Sequence, residues 1–385
     1  MKIRKILLLA GEESGLLYAE RLKDELQDAR PDEVMEFRGY QSEGCKTADL
    51  AVMGFWPVLK KLFFFLGVAR TMKRLICDWQ PEIVVTVDYP GLNLKLAAFA
   101  KARGIPAVHL VCPQVWAWHQ GRIPKVAAAL TKLLCFFPFE PPLFKDTGLD
   151  VRFIGHPLAD VFAGEMQAHG EPPSWRLNRE GRAPARPCIA LLPGSRIGEI
   201  QRILPRLLQS LHLLSRGSQD LEVIIPAANE RAYAEIERQV RANPPPASFK
   251  LEIVHGKARE VLRQADCAAV ASGTATLEAA LARCPTVLVY AVSPLLAWFA
   301  RRVIKGVKHI GLANVIAEKT GTPPPMPELL QEAFTPEAVA ARLTAWLVDP
   351  AARAQAVAAL DATMALLKSD GAALGNAARE ILSCR

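Results

Sequence analysis

The chain has 385 residues, 51% of them apolar and 22% charged, with a formal net charge of +8 at pH 7. That length predicts two domains, each apolar enough for its own core, and no run reaches the roughly 18 apolar residues of a membrane-spanning helix. The charge favours anionic partners (phosphates, membranes or nucleic acids) without choosing among them, and eight scattered cysteines lacking any Cys-x-x-Cys pair argue for reduced thiols in a cytoplasm, against a disulfide framework or a zinc site.

Met1 to Ala10 is basic then apolar, in outline like a signal peptide. Its apolar part is short, and Gly11-Glu12-Glu13 stands where a cleavage site would lie, so Ile6–Ala10 reads as a first buried strand. Gly11, Glu12, Ser14 and Gly15 follow that strand and precede a helical pattern at Tyr18–Leu26, a place where backbone can approach a ligand closely. Next comes an aromatic and basic segment: Trp56, Phe63, Phe64 and Phe65 among Lys60, Lys61, Arg70, Lys73 and Arg74. Three adjacent phenylalanines cannot share one helix face, so some are expected to be exposed, as in an interfacial membrane element. The alternative is a core helix with snorkelling basic residues. Trp298 to Lys308 repeats the mixture.

Ile83–Val87 reads as a strand ended by Asp88, before Tyr89-Pro90-Gly91. A carboxylate there can serve as a general base or simply close a turn. A helix over Leu94–Arg103 and strands over Val108–Cys112 and Leu133–Phe137 follow, and Gly155-His156-Pro157 closes a first domain, placed at 1–161. His156 is a candidate cleft residue, though a lone histidine is more often a structural hydrogen-bonder. Residues 162–187 are polar and proline-rich and read as a linker.

A second domain, 188–349, restarts the alternation with strands at Cys188–Leu192, Val223–Pro226, Leu251–Val254, Cys267–Ala271 and Thr286–Tyr290. Helical patterns fall between them, at Ile203–Leu214, Glu230–Val240 and Leu277–Arg283. Gly194, Ser195 and Arg196 lie at the end of its first strand, where Arg196 could clamp a diphosphate through its planar fork or be an ordinary surface charge. Ser272, Gly273, Thr274 and Thr276 join the end of Cys267–Ala271 to a helix start. Free N–H groups and the positive end of the helix dipole make that an anion site. Glu278, one turn inside, is placed for ribose hydroxyls; a capped helix with a surface glutamate is the plainer alternative. Residues 350–385 are alanine-rich helices broken at Gly371, expected to pack back on the first domain. Two βαβ series predict an α/β chain of two Rossmann-like, doubly wound parallel-sheet domains facing a cleft. No His, Cys and carboxylate set has metal-ligand spacing, so no metal site is expected.

These pieces, in this order, resemble the lipid-A-disaccharide synthase family, inverting glycosyltransferases of the GT-B type. The resemblance runs nearly end to end: Gly11-Glu12-x-Ser14-Gly15, Ala51-Val52-Met53-Gly54, Val115-Trp116-Ala117-Trp118 after Cys112-Pro113, Phe137-Pro138-Phe139-Glu140, Phe153-Ile154-Gly155-His156-Pro157, Leu191-Leu192-Pro193-Gly194-Ser195-Arg196, Ser272 through Glu278, Asn314, and Pro327-Glu328-Leu329-Leu330-Gln331. It implies transfer of 2,3-diacylglucosamine from its UDP donor to the 6-hydroxyl of a lipid X-like monosaccharide phosphate, giving a β-1,6 disaccharide and UDP. It implies Asp88 as base, Arg196 and Ser195 on the diphosphate, Asn314 near the donor, and Gly11 to Gly15, Met53 and His156 on the acceptor or cleft side. It also implies no cofactor and no metal, a membrane surface as partner, and a place on the inner face of the cytoplasmic membrane. The chain departs from the family pattern at Leu16, Gly91, Cys112 (a serine in the family), Ala291 and Ala313. Another lipid acceptor, a UDP-sugar 2-epimerase or a catalytically silent nucleotide- or lipid-binding paralogue are the rival readings. A homo-oligomer stays open. No basic and aromatic platform matches a nucleic-acid module.

Overall fold

The computed structural model describes residues 2–11, 13–44, 62–117, 120–169, 186–215, 220–292 and 308–384. Glu12, Met53, Trp56, Trp118 and residues 293–307 lie outside these, as does the side chain of Ser14. Two compact units emerge, one of residues 1–157 with 367–385, the other of 158–366.

In the first unit β1 (Lys2–Ala10), β2 (Glu33–Arg38), β3 (Ile83–Val87), β4 (Ala107–Leu110), β5 (Lys132–Cys135) and β6 (Asp150–Phe153) form a sheet in the order β2-β1-β3-β4-β5-β6. Every pairing is parallel. The alternation of side chains along β1 divides the core. Ile6, Leu8 and Ala10 pack with Leu22 and Leu26 of the helix Glu13–Asp28, while Leu7 and Leu9 pack with Met72 and Ile76 of the helix Leu62–Trp79. Burial on both faces is why β3 is apolar at every position but Thr86.

The second unit repeats the plan. β7 (Cys188–Leu192), β8 (Glu222–Ala227), β9 (Lys250–His255), β10 (Cys267–Ala271), β11 (Thr286–Tyr290) and β12 (Glu328–Leu330) run in the order β12-β11-β10-β7-β8-β9, again all parallel. The helix Ile197–Leu214 supplies the longest apolar stripe, Ile200, Ile203, Leu204, Leu207, Leu208 and Leu211, all fully buried. The strand order reverses between β1 and β3 in one sheet and between β7 and β10 in the other. Ligands of doubly wound sheets bind at the carboxyl ends of such strand pairs.

Two expectations about boundaries change. The helix Pro157–His169 occupies the first part of the stretch expected as linker from 162, and the unit boundary falls before it. The residues after 349 divide: the helix Pro350–Ala365 is tied into the second unit by Arg283 to Asp361 (2.8 Å) and Arg353 to Asp266 (3.0 Å). Only the last helix, Ala373–Leu382, belongs to the first unit. Its stripe of Leu374, Ala377, Ala378 and Ile381 follows the helical period, and Asn376 Nδ2 and Ser369 Oγ both donate to the Ile154 carbonyl, at 3.0 and 2.7 Å. Lys132 of β5 adds an ion pair with Glu380. Gly155, at φ +90°, leaves room for Ser369 where a Cβ would collide with its hydroxyl.

Candidate active site

Asp88 stands directly after β3, at the reversal point of the first sheet. It and Tyr89 both take left-handed backbone, φ +49° and +51°, which non-glycine residues adopt at a cost of about 1–3 kcal/mol each. Three groups hold the turn. Asp88 N donates to Leu110 O at 2.9 Å; Pro90 starts the next helix with a fixed φ; and buried Asn93 donates through Nδ2 to the carbonyls of Asp88, Val87 and Leu9, at 2.8, 3.2 and 3.2 Å. The Tyr40 hydroxyl donates to Asn93 Oδ1 at 2.6 Å and so fixes the amide's orientation. Gly11, at the exit of β1, is required by the same turn, because a Cβ there would come within 2.7 Å of the Tyr89 ring. Burial raises the Asp88 carboxyl above its ordinary value, with the Tyr89 N–H opposing the rise. A desolvated carboxylate is a stronger base.

Asp88 opens on a cavity of about 300 Å³, lined also by Val111, Cys112, Trp116, Arg122 and Glu140. Val111 is left-handed too, at φ +76°, so the exits of two neighbouring strands are both strained around one cavity. Trp116 is held as a wall by two contacts: its Nε1 donates to Glu140 Oε1 at 3.2 Å, and its ring meets Phe139 edge-on at 5.6 Å. Glu140 also accepts from Phe137 N at 3.1 Å, and burial pushes its carboxyl up to about 8. Cys112, Cys135 and Glu140 bring their ligand atoms within 4.8 Å of one another, all buried. The expectation of no metal-binding cluster rested on spacing along the chain, and Cys112 lies far in sequence from Cys135 and Glu140. His156 does not line this cavity: it is buried against the rings of Phe136 and Phe137, at 5.2 and 5.5 Å. Burial holds its pKa down to about 4. Asn93, Tyr40 and Arg122 carried no sequence signal of their own, and Glu140 only its place in the Phe137-Pro138-Phe139-Glu140 motif.

In the second unit a separate cavity of about 300 Å³ is lined by Gly194, Ser195, Ser272, Gly273, Thr274 and Glu278. Gly194 takes φ +107° and Gly273 φ +152°; each turns the chain from a strand end into a helix whose free N–H groups face the cavity. Arg196 is exposed at the cap of the helix Ile197–Leu214 and pairs with Glu199 of the first turn at 3.1 Å. Ser272 Oγ donates to Ile310 O at 3.5 Å. Glu278 is half-buried, its carboxyl raised by burial, lowered by nearby Arg259 and raised again by Glu165.

Two residues expected near the donor have side chains engaged within the chain. The Thr276 side chain is fully buried and its hydroxyl donates to Gly273 O at 2.8 Å, so it closes the helix start from within. Asn314 is buried and spends its amide on the chain itself: Nδ2 donates to Met326 O and Glu328 Oε1, both at 2.8 Å, and Oδ1 accepts from Met326 N at 3.0 Å. Glu328 accepts from Gly311 N at 3.0 Å as well, so Asn314 and Glu328 together clamp the loop leading into the helix Leu312–Thr320.

The family model described as Lipid-A-disaccharide synthetase matches residues 6–380. The chain belongs to this family of glycosyltransferases. The lipid-A-disaccharide synthase of Anaeromyxobacter dehalogenans is 37% identical over 98% of this chain and 97% of its own, and that of Xanthomonas campestris 34% identical over 100% and 88%. Among solved structures, Acinetobacter baumannii MurG matches with a TM-score of 0.58 at 14% identity, covering 99% of this chain and all of its own. A UDP-N-acetylglucosamine 2-epimerase from Listeria monocytogenes gives 0.58 at 12%, covering 99% and 95%. Those two share the two-sheet GT-B fold alone; the family resemblance over the whole chain separates a lipid-A-disaccharide synthase from either rival.

Proposed function

We propose that the chain transfers 2,3-diacylglucosamine from UDP to the 6-hydroxyl of a lipid monosaccharide phosphate, with inversion, to give a β-1,6-linked disaccharide and UDP. Asp88 carries the reading: a desolvated carboxylate in strained backbone, at the sheet's reversal point, opening on a cavity. It takes the proton of the acceptor hydroxyl as the glycosidic bond forms. Arg122, on the same cavity, suits the acceptor's phosphate. In the second unit the two helix starts and Arg196, released from Glu199, neutralise the departing diphosphate, and Glu278 holds the ribose. With the charge met this way, the transfer needs no metal or other cofactor.

The substrates carry fatty chains that stay in a bilayer, each buried methylene being worth about 0.8 kcal/mol. The protein therefore comes to the membrane, on the inner face of the cytoplasmic membrane. The helix Leu62–Trp79 supports this reading. Phe63 is 87% and Leu66 45% exposed, and exposed Arg70 and Arg74 continue that face at helical spacing. Phe65 is different, half-buried against the core beneath. No helix among the described residues is long and apolar enough to cross a membrane.

The direct test offers the purified protein UDP-2,3-diacylglucosamine with lipid X, and in parallel with other lipid acceptors, and identifies products by mass. A disaccharide phosphate and stoichiometric UDP are expected. Transfer to a different acceptor only, or UDP binding without any transfer, would replace this reading with one of its rivals.

A further inference from the structure

The Cys112, Cys135 and Glu140 cluster has no part in the transfer as drawn above. Buried cysteines by themselves are small core residues, and both of these pack in the apolar cluster around Leu133 and Phe144. Three features set them apart. A buried carboxylate has one oxygen within 4.8 Å of both sulfurs. That carboxylate is already oriented, because Trp116 Nε1 and Phe137 N each donate to one of its oxygens, the kind of support that metal-ligating carboxylates have. And Cys112 and Glu140 both line the cavity that Asp88 lines, which gives an ion a route in and leaves its fourth coordination position on the open side.

We propose that Cys112, Cys135 and Glu140 form a binding site for one soft divalent cation of the Zn²⁺ or Cd²⁺ class, and that filling it blocks the cavity beside Asp88. Two thiolate sulfurs and a carboxylate oxygen are a ligand set that zinc takes. Metal–sulfur bonds of about 2.3 Å and metal–oxygen bonds of about 2.0–2.2 Å hold the ligand atoms roughly 3.5–3.8 Å apart, so the three need to draw in by no more than about 1.3 Å. The strand exits that carry the cysteines stay in place while the thiols rotate. On binding, the two thiol protons, and the carboxyl proton when present, pass to solvent; no electrons are transferred. The ion acts as an inhibitor, not a cofactor. A serine hydroxyl in place of the Cys112 thiolate would offer zinc a far poorer ligand, so the site depends on this cysteine.

The full-length protein, kept reduced with a phosphine, is titrated with Cd²⁺ while the ultraviolet thiolate-to-cadmium absorption is followed, and Zn²⁺ is then added in competition. The first equivalent is expected to show a two-thiolate band that Zn²⁺ erases. Cys112→Ser and Cys135→Ser should each remove about half of it and weaken binding by about tenfold or more, and Glu140→Gln should weaken binding by a similar factor while keeping the band. Because Cys135 is in the core, Cys112→Ser alone suffices should Cys135→Ser not fold. The blocking claim, which rests on the proposed transfer, is read from UDP release. Zn²⁺ should suppress it, a chelator should restore it, and Cys112→Ser should need about tenfold more Zn²⁺ for half-suppression of its own basal rate. An equal first-equivalent band and affinity in wild type and Cys112→Ser would overturn the site, since the ion would then sit on other thiols. Tight binding at the site without loss of UDP release would overturn the block. The absorbance titration needs no turnover, so its outcome is independent of whether the assigned transfer is correct.

Discussion

At the residue scale, Asp88 concentrates two costs in one position. Its backbone is left-handed, and its carboxylate is desolvated, so its folded pKa lies above the ordinary 3.8. The sign of the linkage follows. A raised carboxyl pKa means the folded state binds the proton more tightly than the unfolded chain does, so ionised Asp88 destabilises the fold at every pH above its folded pKa. Asp88→Asn removes that cost and tolerates the left-handed backbone. It should therefore melt higher than wild type at pH 7, with the gap closing as the pH falls through the Asp88 pKa. A lower melting temperature at pH 7 would contradict the desolvation account. Glu278 tests the donor cavity. Its carboxyl is also raised by burial, so Glu278→Ala is not expected to unfold the chain. Loss of a charge-assisted hydrogen bond, worth about 1.5–3 kcal/mol, should raise the Kd for UDP by about tenfold or more by calorimetry. Asp88 and the Ser272–Glu278 run were legible in the sequence because both are local signals, a polar residue at the end of an apolar strand. The partners of Asn314 and Thr276 were not legible: a polar side chain in a ligand motif and one that closes its own loop look alike until the partners, here Met326, Glu328 and Gly273, are seen. The cysteine and glutamate cluster was invisible because its members come from two strand exits and a turn.

At the scale of single elements, the helix Leu62–Trp79 serves two environments at once. Met72, Leu75 and Ile76 build the core while Phe63 and Leu66 face out. Three consecutive phenylalanines made some exposure the expectation; which ring turned inward depended on the helix phase, and Phe65 is the one that did. Phe63→Ser with Phe64→Ser, sparing Phe65, should leave the fold and UDP affinity intact. It should reduce co-sedimentation with anionic vesicles by roughly tenfold or more, given the apolar area withdrawn from the interface. Full sedimentation by the folded double variant would remove this helix as the anchor. Gly155 tests the return of the last helix. Gly155→Ala places a side chain at φ +90° and against Ser369, and should destabilise the chain by about 1–3 kcal/mol in denaturant melts. An unchanged midpoint would show that the 369–382 segment gives way freely. The sequence marked this region as alanine-rich helix, but no period distinguishes a helix that packs on the second sheet from one that crosses to the first. The expected linker reached back over residues 162–169 for a similar reason, since a proline opens the helix Pro157–His169 and reads locally as a break.

Across the whole molecule, the alternation of short apolar runs with helical patterns was enough for two parallel sheets, and the motifs lie at the carboxyl ends of strands, where doubly wound sheets bind ligands. Both reversal points, β1 with β3 and β7 with β10, carry the residues that the sequence singled out, Gly11 and Asp88 in one and Gly194 and Gly273 in the other. Edge-strand order and the partners that fix Asp88 are long-range facts, and a short β12 carries too few residues to show any period. The central claim is that Asp88 is the base for glycosyl transfer. Turnover of UDP-2,3-diacylglucosamine with lipid X, measured beside UDP calorimetry in wild type and Asp88→Asn, tests it most directly. The expected result is a fall in turnover of about a hundredfold or more with UDP affinity unchanged. Near-normal turnover in the folded variant would contradict it and assign the base elsewhere.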